Sequence, residues 1–427
     1  MRARGFSLIE LLISVVISVI AIAGGVVLLL TSQQWFENGR DDRTLQENAR
    51  VAMDSLTSNL RNAGYGLEPT FTFDMGLIAN VPQSQIPQGD QARFGGYGYP
   101  NACNGTCRDS AVGPDDLVFY SRDPKWERGV QTVSSTNLTL VPPVAGLTTT
   151  LSAGQVLQIM CYGSSDEWLW AYVTVASVNS TNPGQVVVTL TGGGAQPYDF
   201  PQQNSLLTQP CFSAGTASVR AFKIDRYHYY IQAVNDATGA QVAWGTPGAR
   251  PYLMLDQGLQ VGGQEVLSPI AADVENLQVA YVYPAALVGN QIQCTNPGVQ
   301  ITANISGDDT GFNLAPVNGI PTFATPSLDP LRTTHNPANV RGVQVALTVR
   351  SPRADLRDTN PNDALVPASL NFQAVAADAG YKRLQFETTV YIRNMETRLP
   401  VYPQYDPNWQ TNNCCTGTTC GGNCGGG

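Results

Sequence analysis

The feature that most constrains the fold of this chain is an apolar run of 25 residues near its start, residues 6–30. A run of this length can cross a bilayer as a single α-helix. Glu10 is its only ionisable residue, and a charge inside a membrane helix costs roughly 2.5–3.5 kcal/mol on insertion scales. A carboxylate kept at such a cost indicates a function. Arg2 and Arg4 precede the run, which predicts a cytoplasmic N-terminus and places the rest of the chain across the membrane.

The residues around Glu10 resemble the class III signal of type IV prepilins. That family reads G-F-[ST]-L-[IV]-E, and this chain reads GFSLIE from Gly5 to Glu10. The resemblance implies that a prepilin peptidase cleaves between Gly5 and Phe6 and that the new Phe6 amine is N-methylated. It also implies that Glu10 docks subunits by pairing with the corresponding amine of a neighbour, because a buried ion persists only when it is paired. The alternative is an uncleaved signal anchor that happens to contain a glutamate.

A second helical pattern follows the apolar run. Apolar side chains recur there at helical spacing and predict one buried stripe, formed by Leu45, Ala49, Ala52, Met53, Leu56, Leu60 and Ala63. Gly64 and Gly66 predict the end of the helix. We therefore expect a leader at 1–5, a transmembrane or filament-core helix at 6–30, and an amphipathic helix at 31–64 that packs on a head.

From residue 65 onward the apolar period changes to two, which predicts β-strands. Segments 277–283, 343–349 and 384–392 alternate apolar and polar residues, so the apolar side chains of each should form one buried face and the polar side chains should lie on the other face. Further strands are predicted at 116–121, 155–161, 168–178, 185–191 and 218–231. The predicted fold class is α+β, with a long N-terminal pilin helix, half transmembrane and half packed on the head, and a large antiparallel β-rich globular head. That head would span 65–402 and carry insertions, and a Cys/Gly-rich tail would follow at 403–427.

Several segments resemble PilW-type minor pilins in their order along the chain, namely "NARVAMDSLTSNLRNAGYG", "DVENLQVAYVY", "RGVQVALTVRSP" and "FETTVYIRNM". The resemblance implies a minor pilin that takes part in type IV pilus assembly, priming or capping the filament near its tip. It implies other major and minor pilins, a prepilin peptidase and the inner-membrane assembly platform as partners. The implied location is the inner membrane, single-pass with a periplasmic head, and after assembly the extracellular pilus.

Two other functions remain open at this point. One is a minor pseudopilin of a type II secretion system, and the other is a tip adhesin whose enlarged head binds a surface ligand. Residues from about 70 to 270 show no family resemblance and read as added strands and loops.

Nine cysteines predict disulfides in an exported chain, and their odd number leaves at least one thiol free or paired with another molecule. Cys103 and Cys107 in "CNGTC" favour a local disulfide over half of a metal site, because no second cluster has zinc spacing. Cys161 and Cys211 follow strand-like segments and are candidates for disulfides that crosslink the head. The four tail cysteines favour a crosslinked tail, with a soft-metal site or a covalent link to a partner as alternatives.

The sequence gives little support for catalysis, cofactors or nucleic-acid binding. A net charge of −9 without a Lys/Arg block lacks the electrostatic footprint of a nucleic-acid binder. The two histidines, His228 and His335, lie far apart in the chain, and no nucleophile elbow, zinc-protease or P-loop motif is present. We therefore predict that the protein is not an enzyme, and that His228 is a packed or surface strand residue.

Two further motifs are assigned structural roles. The segment 358–369 imitates a calcium loop but lacks glycine at its sixth position and a carboxylate at its twelfth, Ser369, so an ordinary turn is favoured over a metal site. Trp168, Trp170 and Tyr172 alternate along one strand face, and we expect them in the core rather than in a sugar-binding platform.

Overall fold

The structure is a computed structural model that describes twelve stretches of the chain: residues 8–74, 114–141, 151–163, 168–179, 186–191, 203–213, 219–242, 249–283, 304–305, 340–355, 364–370 and 374–396. The predictions for Gly5, Phe6, Cys103, Cys107 and the cysteine-rich tail lie outside these residues. So do most of segment 358–369 and His335.

The first element is a single long helix, α1, at Leu8–Leu60. Its 53 residues span about 80 Å at 1.5 Å per residue. Gly64 and Gly66 follow it with φ angles of 71° and 68°, a conformation that glycine adopts at little cost. A Cβ on Gly64 would lie 2.7 Å from Thr72 Oγ1, so this turn also requires the absence of a side chain. The predicted stop is confirmed.

The rest of the described chain is dominated by strands, which supports the predicted α+β class. They are β1 Phe73–Asp74, β2 Leu117–Val133, β3 Asn137–Leu140, β4 Val156–Tyr162, β5 Trp168–Asn179, β6 Val186–Leu190, β7 Arg220–Asn235, β8 Ala249–Val261, β9 Gln264–Ala272, β10 Val274–Tyr283, β11 Asn304–Ile305, β12 Gly342–Arg350, β13 Leu365–Val366, β14 Val375–Ala376 and β15 Arg383–Tyr391. The short helices are α2 Pro210–Ser213 and α3 Arg393–Glu396, with 3₁₀ turns at Pro69–Phe71 and Asn204–Thr208. Every strand pairing among the described residues is antiparallel, as predicted.

The larger sheet has nine strands in the order β1-β2-β3-β6-β5-β4-β7-β8-β9, and β2 also pairs with β7. This extra pairing closes a ring of six strands, β2-β3-β6-β5-β4-β7. Two strands of the ring each pair with two neighbours in succession. Strand β2 pairs first with β7 and then with β3, and β5 pairs first with β4 and then with β6. The interior of the ring holds its own apolar cluster, which includes Trp126, Leu157, Val173 and Val188. The middle of the chain, which shows no family resemblance, thus builds a closed substructure with its own core.

The smaller sheet has the order β11-β10-β12-β15, and α1 packs against it and against β9. One apolar cluster joins α1 to both sheets, with contributions from Leu56, Tyr229, Leu277 and Val345. The two sheets are also linked by buried Asp115, whose Oδ2 accepts a hydrogen bond from the Val279 amide at 2.9 Å. The head is therefore assembled around the second half of α1.

The polar face of β12 is covered as well as its apolar face, because Gln344, Thr348 and Arg350 are all buried. Gln344 donates to Glu387 on β15, and the guanidinium of Arg350 lies 4.3 Å from the ring of Tyr381, just before that strand. Alternation correctly identified the strand, but it did not reveal that both faces are covered.

On β15, Leu384 was expected on a buried face and is exposed, because β15 forms an edge of the smaller sheet.

Candidate functional site

The two halves of α1 have opposite surroundings. In the first half, the described apolar residues from Leu8 to Leu30 are exposed. By length and composition alone this helix is able to cross a membrane, since its apolar window has a mean hydropathy of 2.9 and is not buried in the structure. The first half therefore presents an apolar surface that no part of the described head covers.

Glu10 lies within α1, so its main chain is helical. Its side chain, like Gly5 and Phe6, lies outside what the structure describes. Cleavage after Gly5, methylation of Phe6 and subunit docking by Glu10 therefore stay predictions.

The second half of α1 is docked on the head through the predicted stripe. Six of its residues are at most 1% exposed: Leu45, Ala49, Ala52, Leu56, Leu60 and Ala63. Met53 is half-buried beside them. Full burial of a leucine side chain contributes about 1.5–3 kcal/mol, so the three leucines alone give this interface substantial stability. The predicted stripe is confirmed.

Polar contacts fix the register of α1 on the head. The hydroxyl of Tyr229 accepts a hydrogen bond from Asn59 Nδ2 at 2.6 Å and lies 3.2 Å from Ser55 Oγ. Burial raises the pKa of Tyr229, so the phenol stays neutral at physiological pH. Because these contacts are directional, a rotation or a shift of α1 would break them.

A buried carboxylate joins α1 to both sheets. Asp273 lies between β9 and β10 and is 1% exposed, and its Oδ2 lies 3.4 Å from Asn48 Nδ2 on α1. Arg250 on β8 donates to both of its oxygens, from Nε at 2.7 Å and from Nη2 at 2.5 Å. The backbone carbonyl of Asp273 accepts a hydrogen bond from the Arg350 amide on β12 at 2.9 Å.

The backbone of Asp273 is also unusual, with a φ of 63°. Non-glycine residues adopt this region uncommonly, and aspartate and asparagine are among the best tolerated there. The hydrogen bond to Asp273 raises the pKa of Arg250, which keeps the guanidinium charged. This cluster positions α1 relative to the head.

A cavity of about 500 Å³ opens where the first half of α1 leaves the head. It lies between Leu30, Gln33, Glu37 and Asp41 of α1 and Ser351, Arg353, Ala354, Asp355, Gly380 and Lys382 of the head. Next to it, Lys382 Nζ pairs with Asp42 Oδ1 at 3.4 Å. The helix and the base of the head are thus joined by one exposed ion pair there.

A disulfide joins Cys161 on β4 to Cys211 on α2, with their Cα atoms 6.1 Å apart. It holds the segment that carries Leu207 and Phe212 against the interior of the six-stranded ring. The sequence identified both cysteines as candidates without pairing them, and the structure supplies the partner.

His228 is a packed strand residue, as predicted. Its Nε2 lies 2.9 Å from Asp116 Oδ2 and its Nδ1 lies 3.6 Å from Asp256 Oδ2. Arg226 Nη1 contacts the same Asp256 oxygen at 2.7 Å. Burial raises the pKa of Asp256, but His228, Arg226 and the Gly258 amide outweigh that effect and lower it to about 2. Among the described residues, no group of three or more His, Cys, Asp or Glu is arranged to hold a metal ion.

The prediction that the aromatic strand residues belong to the core was wrong for two of the three. Tyr172 is buried, but Trp168 and Trp170 are exposed on the outer face of the ring. The residues that fill the interior are the intervening ones, such as Ala171 and Val173. Because alternate residues point to opposite faces, the two tryptophans point outward.

The comparison with protein families gives one match. The model of the prokaryotic N-terminal methylation motif matches residues 1–26. No curated protein and no solved structure is similar enough to match. The chain therefore carries a type IV pilin-like prepilin signal, which supports a pilin- or pseudopilin-like role with peptidase processing and pilin-family assembly. The signal and the apolar helix together fit a membrane-anchored pilin.

Proposed function

We propose that the protein is a PilW-like minor pilin that primes or caps a type IV pilus near its tip. The observation that carries this proposal is the division of α1 behind a prepilin signal: the described apolar residues from Leu8 to Leu30 are exposed, and from Leu45 onward one apolar stripe of the helix is buried against the head. An element of this kind can leave the membrane for a filament core without unfolding its head. In this proposal the head is periplasmic before assembly and extracellular afterwards.

Assembly would be guided by charge pairing at the start of the helix. Cleavage after Gly5 creates a cationic amine at Phe6, and the methylated amine keeps its charge. Both this amine and Glu10 would lie in an apolar filament core, where an unpaired ion is costly. The stagger that pairs the Phe6 amine of one subunit with Glu10 of its neighbour leaves no orphaned charge, so it sets the axial register.

The size of the head supports a position at or near the tip. The six-stranded ring carries an apolar cluster of its own, in addition to the cluster that binds α1. Such an addition fits more readily at the end of a filament than at every repeat along it. The proposed partners are other pilins, the prepilin peptidase and the assembly platform; nucleic acid is not one of them, and the role requires neither a cofactor nor catalysis.

Glu10→Gln tests this proposal. The amide is cheaper to bury than the charge, so membrane insertion and cleavage should be normal. Incorporation into pili should fail, because breaking one side of a buried pair costs about 3–5 kcal/mol.

Ser18→Ala is the matched control. Ser18 lies in the same apolar half, and its hydroxyl bonds to the Ser14 carbonyl of its own helix at 2.7 Å. This variant should assemble normally. Normal incorporation of the Glu10→Gln variant would contradict docking by charge pairing.

Deletion of the gene distinguishes a pilus role from a role as a minor pseudopilin. Loss of surface pili with secretion retained supports the proposal, whereas loss of type II secretion with pili retained supports the pseudopilin. An adhesin role is favoured by one specific observation, the exposed tryptophans on the ring.

A further inference from the structure

We propose that the outer face of the six-stranded ring binds a neutral carbohydrate. The surface, called here the distal aromatic face, consists of Trp168 and Trp170 on β5, Tyr162 and Met160 on β4, Arg220 on β7 and Glu127 on β2. The inference rests on the proposed function and adds a ligand class to the adhesin role.

Three aromatic rings of this face are exposed side by side. Trp168 is 52% exposed, Tyr162 44% and Trp170 40%. Trp168 pairs with Tyr162 across the two strands, and their ring centroids lie 5.1 Å apart. The two tryptophans are two positions apart on one strand, which separates them by about 7 Å. The rings of Trp168 and Tyr162 are tilted by 59° to each other, so the aromatic surface is angled, and both residues belong to strands of the sheet.

The opposite face of the same strands explains why the rings cannot retreat. Cys161, Leu169 and Ala171 point into the ring interior and belong to its apolar cluster. Cys161 is also fixed by its disulfide to Cys211. A shift that buried the tryptophans would expose this core, since a one-residue slip exchanges the two faces of a strand.

Charged groups border the aromatic rings. Arg220 lies beside Met160 in the strand register, and its Nε is 3.7 Å from Glu127 Oε1. The two side chains are about half exposed, so a donor and an acceptor are both available to a ligand. The charges of this pair cancel, and the nearby guanidinium of Arg122, whose Nη2 lies 3.1 Å from Met160 Sδ, already donates to Gln158 Oε1 at 2.8 Å. This arrangement complements an uncharged ligand that carries many hydroxyl groups.

A sugar ring matches both parts of this surface. The face of an aromatic ring is electron-rich, and a pyranose presents C–H groups on one of its faces and hydroxyl groups around its rim. Stacking on the tryptophans would place the rim hydroxyls within reach of the guanidinium and the carboxylate. Neither an anionic nor a cationic ligand uses both charged groups equally well.

The exposed area favours a small ligand over a protein partner. Aromatic side chains bury about 150–250 Å² each when they are covered, so three half-exposed rings offer roughly 300 Å². A stable protein interface buries about 800 Å² on each partner. A short stretch of oligosaccharide needs far less.

The position of the face fits contact with an outside surface. On β7, Tyr229 contacts Asn59 near the end of α1. Three residues earlier on the same strand, Arg226 is paired with Tyr120 of β2. The carbonyl of Tyr120 accepts a hydrogen bond from the Gly64 amide, just past the end of α1. Arg220 lies six residues further in the same direction. The distal aromatic face therefore lies beyond the C-terminal end of α1, on the side away from the membrane anchor.

The test uses the full-length oxidised protein in an amine-oxide detergent, because sugar-based detergents would compete for the site. Its retention is measured on immobilised cellulose, chitin, mannan and starch, with tryptophan fluorescence titrations against soluble oligosaccharides of the same four types. The test variant is the double change Trp168→Ala and Trp170→Ala. The control is Tyr391→Ala, which removes a similarly exposed ring from β15 in the other sheet.

We expect wild type and control to bind at least one of the four polymers, and the double variant to bind it at least tenfold more weakly. Near-ultraviolet circular dichroism and retention of the Cys161–Cys211 crosslink should show a folded head in all three proteins. Binding to none of the polymers by the wild type would overturn the proposal. Equal binding by the double variant would also overturn it.

Filament incorporation separates this inference from the proposed function. The double variant should be incorporated into pili like the wild type, because Trp168 and Trp170 are not part of the apolar cluster that joins α1 to the head. If it folds but is not incorporated and no polymer binds, the face is an interface between subunits and the carbohydrate proposal is wrong. If polymers bind while the wild type never enters filaments, the minor pilin proposal is wrong and the binding site stands.

Discussion

The buried carboxylate of Asp273 offers a sharp test of how α1 is held on the head. The change Asp273→Asn keeps the shape of the side chain and a residue that tolerates the positive φ of 63°, but it removes the charge that receives two hydrogen bonds from Arg250. The main effect of this change is therefore the loss of the ion pair with Arg250.

The expected loss follows from the geometry. Removing one member of a buried pair costs about 3–5 kcal/mol. Arg250 is 28% exposed and keeps a second partner, Asp236 at 3.2 Å, which reduces the penalty for leaving it unpaired. We therefore expect Asp273→Asn to lower the free energy of unfolding by about 1.5–3 kcal/mol, the range of hydrogen bonds to charged groups.

Asp273→Ala separates the backbone contribution from the charge. Alanine at this positive φ adds about 1–2 kcal/mol of strain, so this variant should be less stable than Asp273→Asn by that amount. Asp378→Asn is the control, because Asp378 is 80% exposed and its change should stay within about 0.5 kcal/mol of wild type.

The assay is equilibrium urea unfolding of the full-length protein in detergent, since urea does not screen the ion pair as a salt would. Amide hydrogen exchange along residues 45–60 should accelerate in Asp273→Asn, because the ion pair that holds this side chain beside Asn48 is lost. An Asp273→Asn variant as stable as wild type would refute the claim that this pair holds the helix, and an alanine variant no worse than the asparagine variant would refute the strain argument.

Three further predictions concern the helix interface, the acid response and the disulfide. Leu56→Ala should lower the free energy of unfolding by about 2–5 kcal/mol, whereas Val51→Ala on the exposed side of the same helix should have little effect. Equal urea midpoints for the two variants would contradict the docking of α1 on the head. The pKa of Asp256 is lowered from 3.8 to about 2 in the folded protein, so its carboxylate stabilises the fold above pH 4, and this stabilisation is lost as the pH falls through 2. Asp256→Asn should therefore lower the free energy of unfolding by on the order of 2 kcal/mol at pH 7 and make stability depend less on pH in the acid range. An unchanged pH dependence in that range would contradict this prediction. Peptide mapping without reduction should recover Cys161 linked to Cys211, and full alkylation of both thiols in exported protein would contradict that bond.

The sequence predicted the helix and its buried stripe because both depend on local spacing. The positions of Leu45, Leu56 and Leu60 follow one helical face, and Gly64 marks its end. Four of the five additional strands were located to within about four residues for the same reason, whereas the segment 116–121 covers only the start of β2, which continues to Val133. Strand β9 was missed because Pro269 interrupts its pattern, and its position at a sheet edge explains why proline is tolerated there.

What the sequence could not supply depends on contacts between distant segments. Asp273 gives no local signal beyond a polar residue between two strands, and its partners Arg250 and Asn48 lie 23 and 225 positions away. The outward direction of Trp168 and Trp170 depends on ring closure by the β2–β7 pairing. Alternation placed the tryptophans on one face but did not distinguish the inside of the ring from the outside.

The central claim, processing and assembly as a minor pilin, is tested most directly by quantitative mass spectrometry of extracellular filaments sheared from cells. The account predicts that peptides of this chain are present at a few copies relative to the major subunit, and that the N-terminal peptide begins with N-methylphenylalanine at Phe6. A peptide that begins at Met1, or filaments of normal yield that lack this chain, would contradict it.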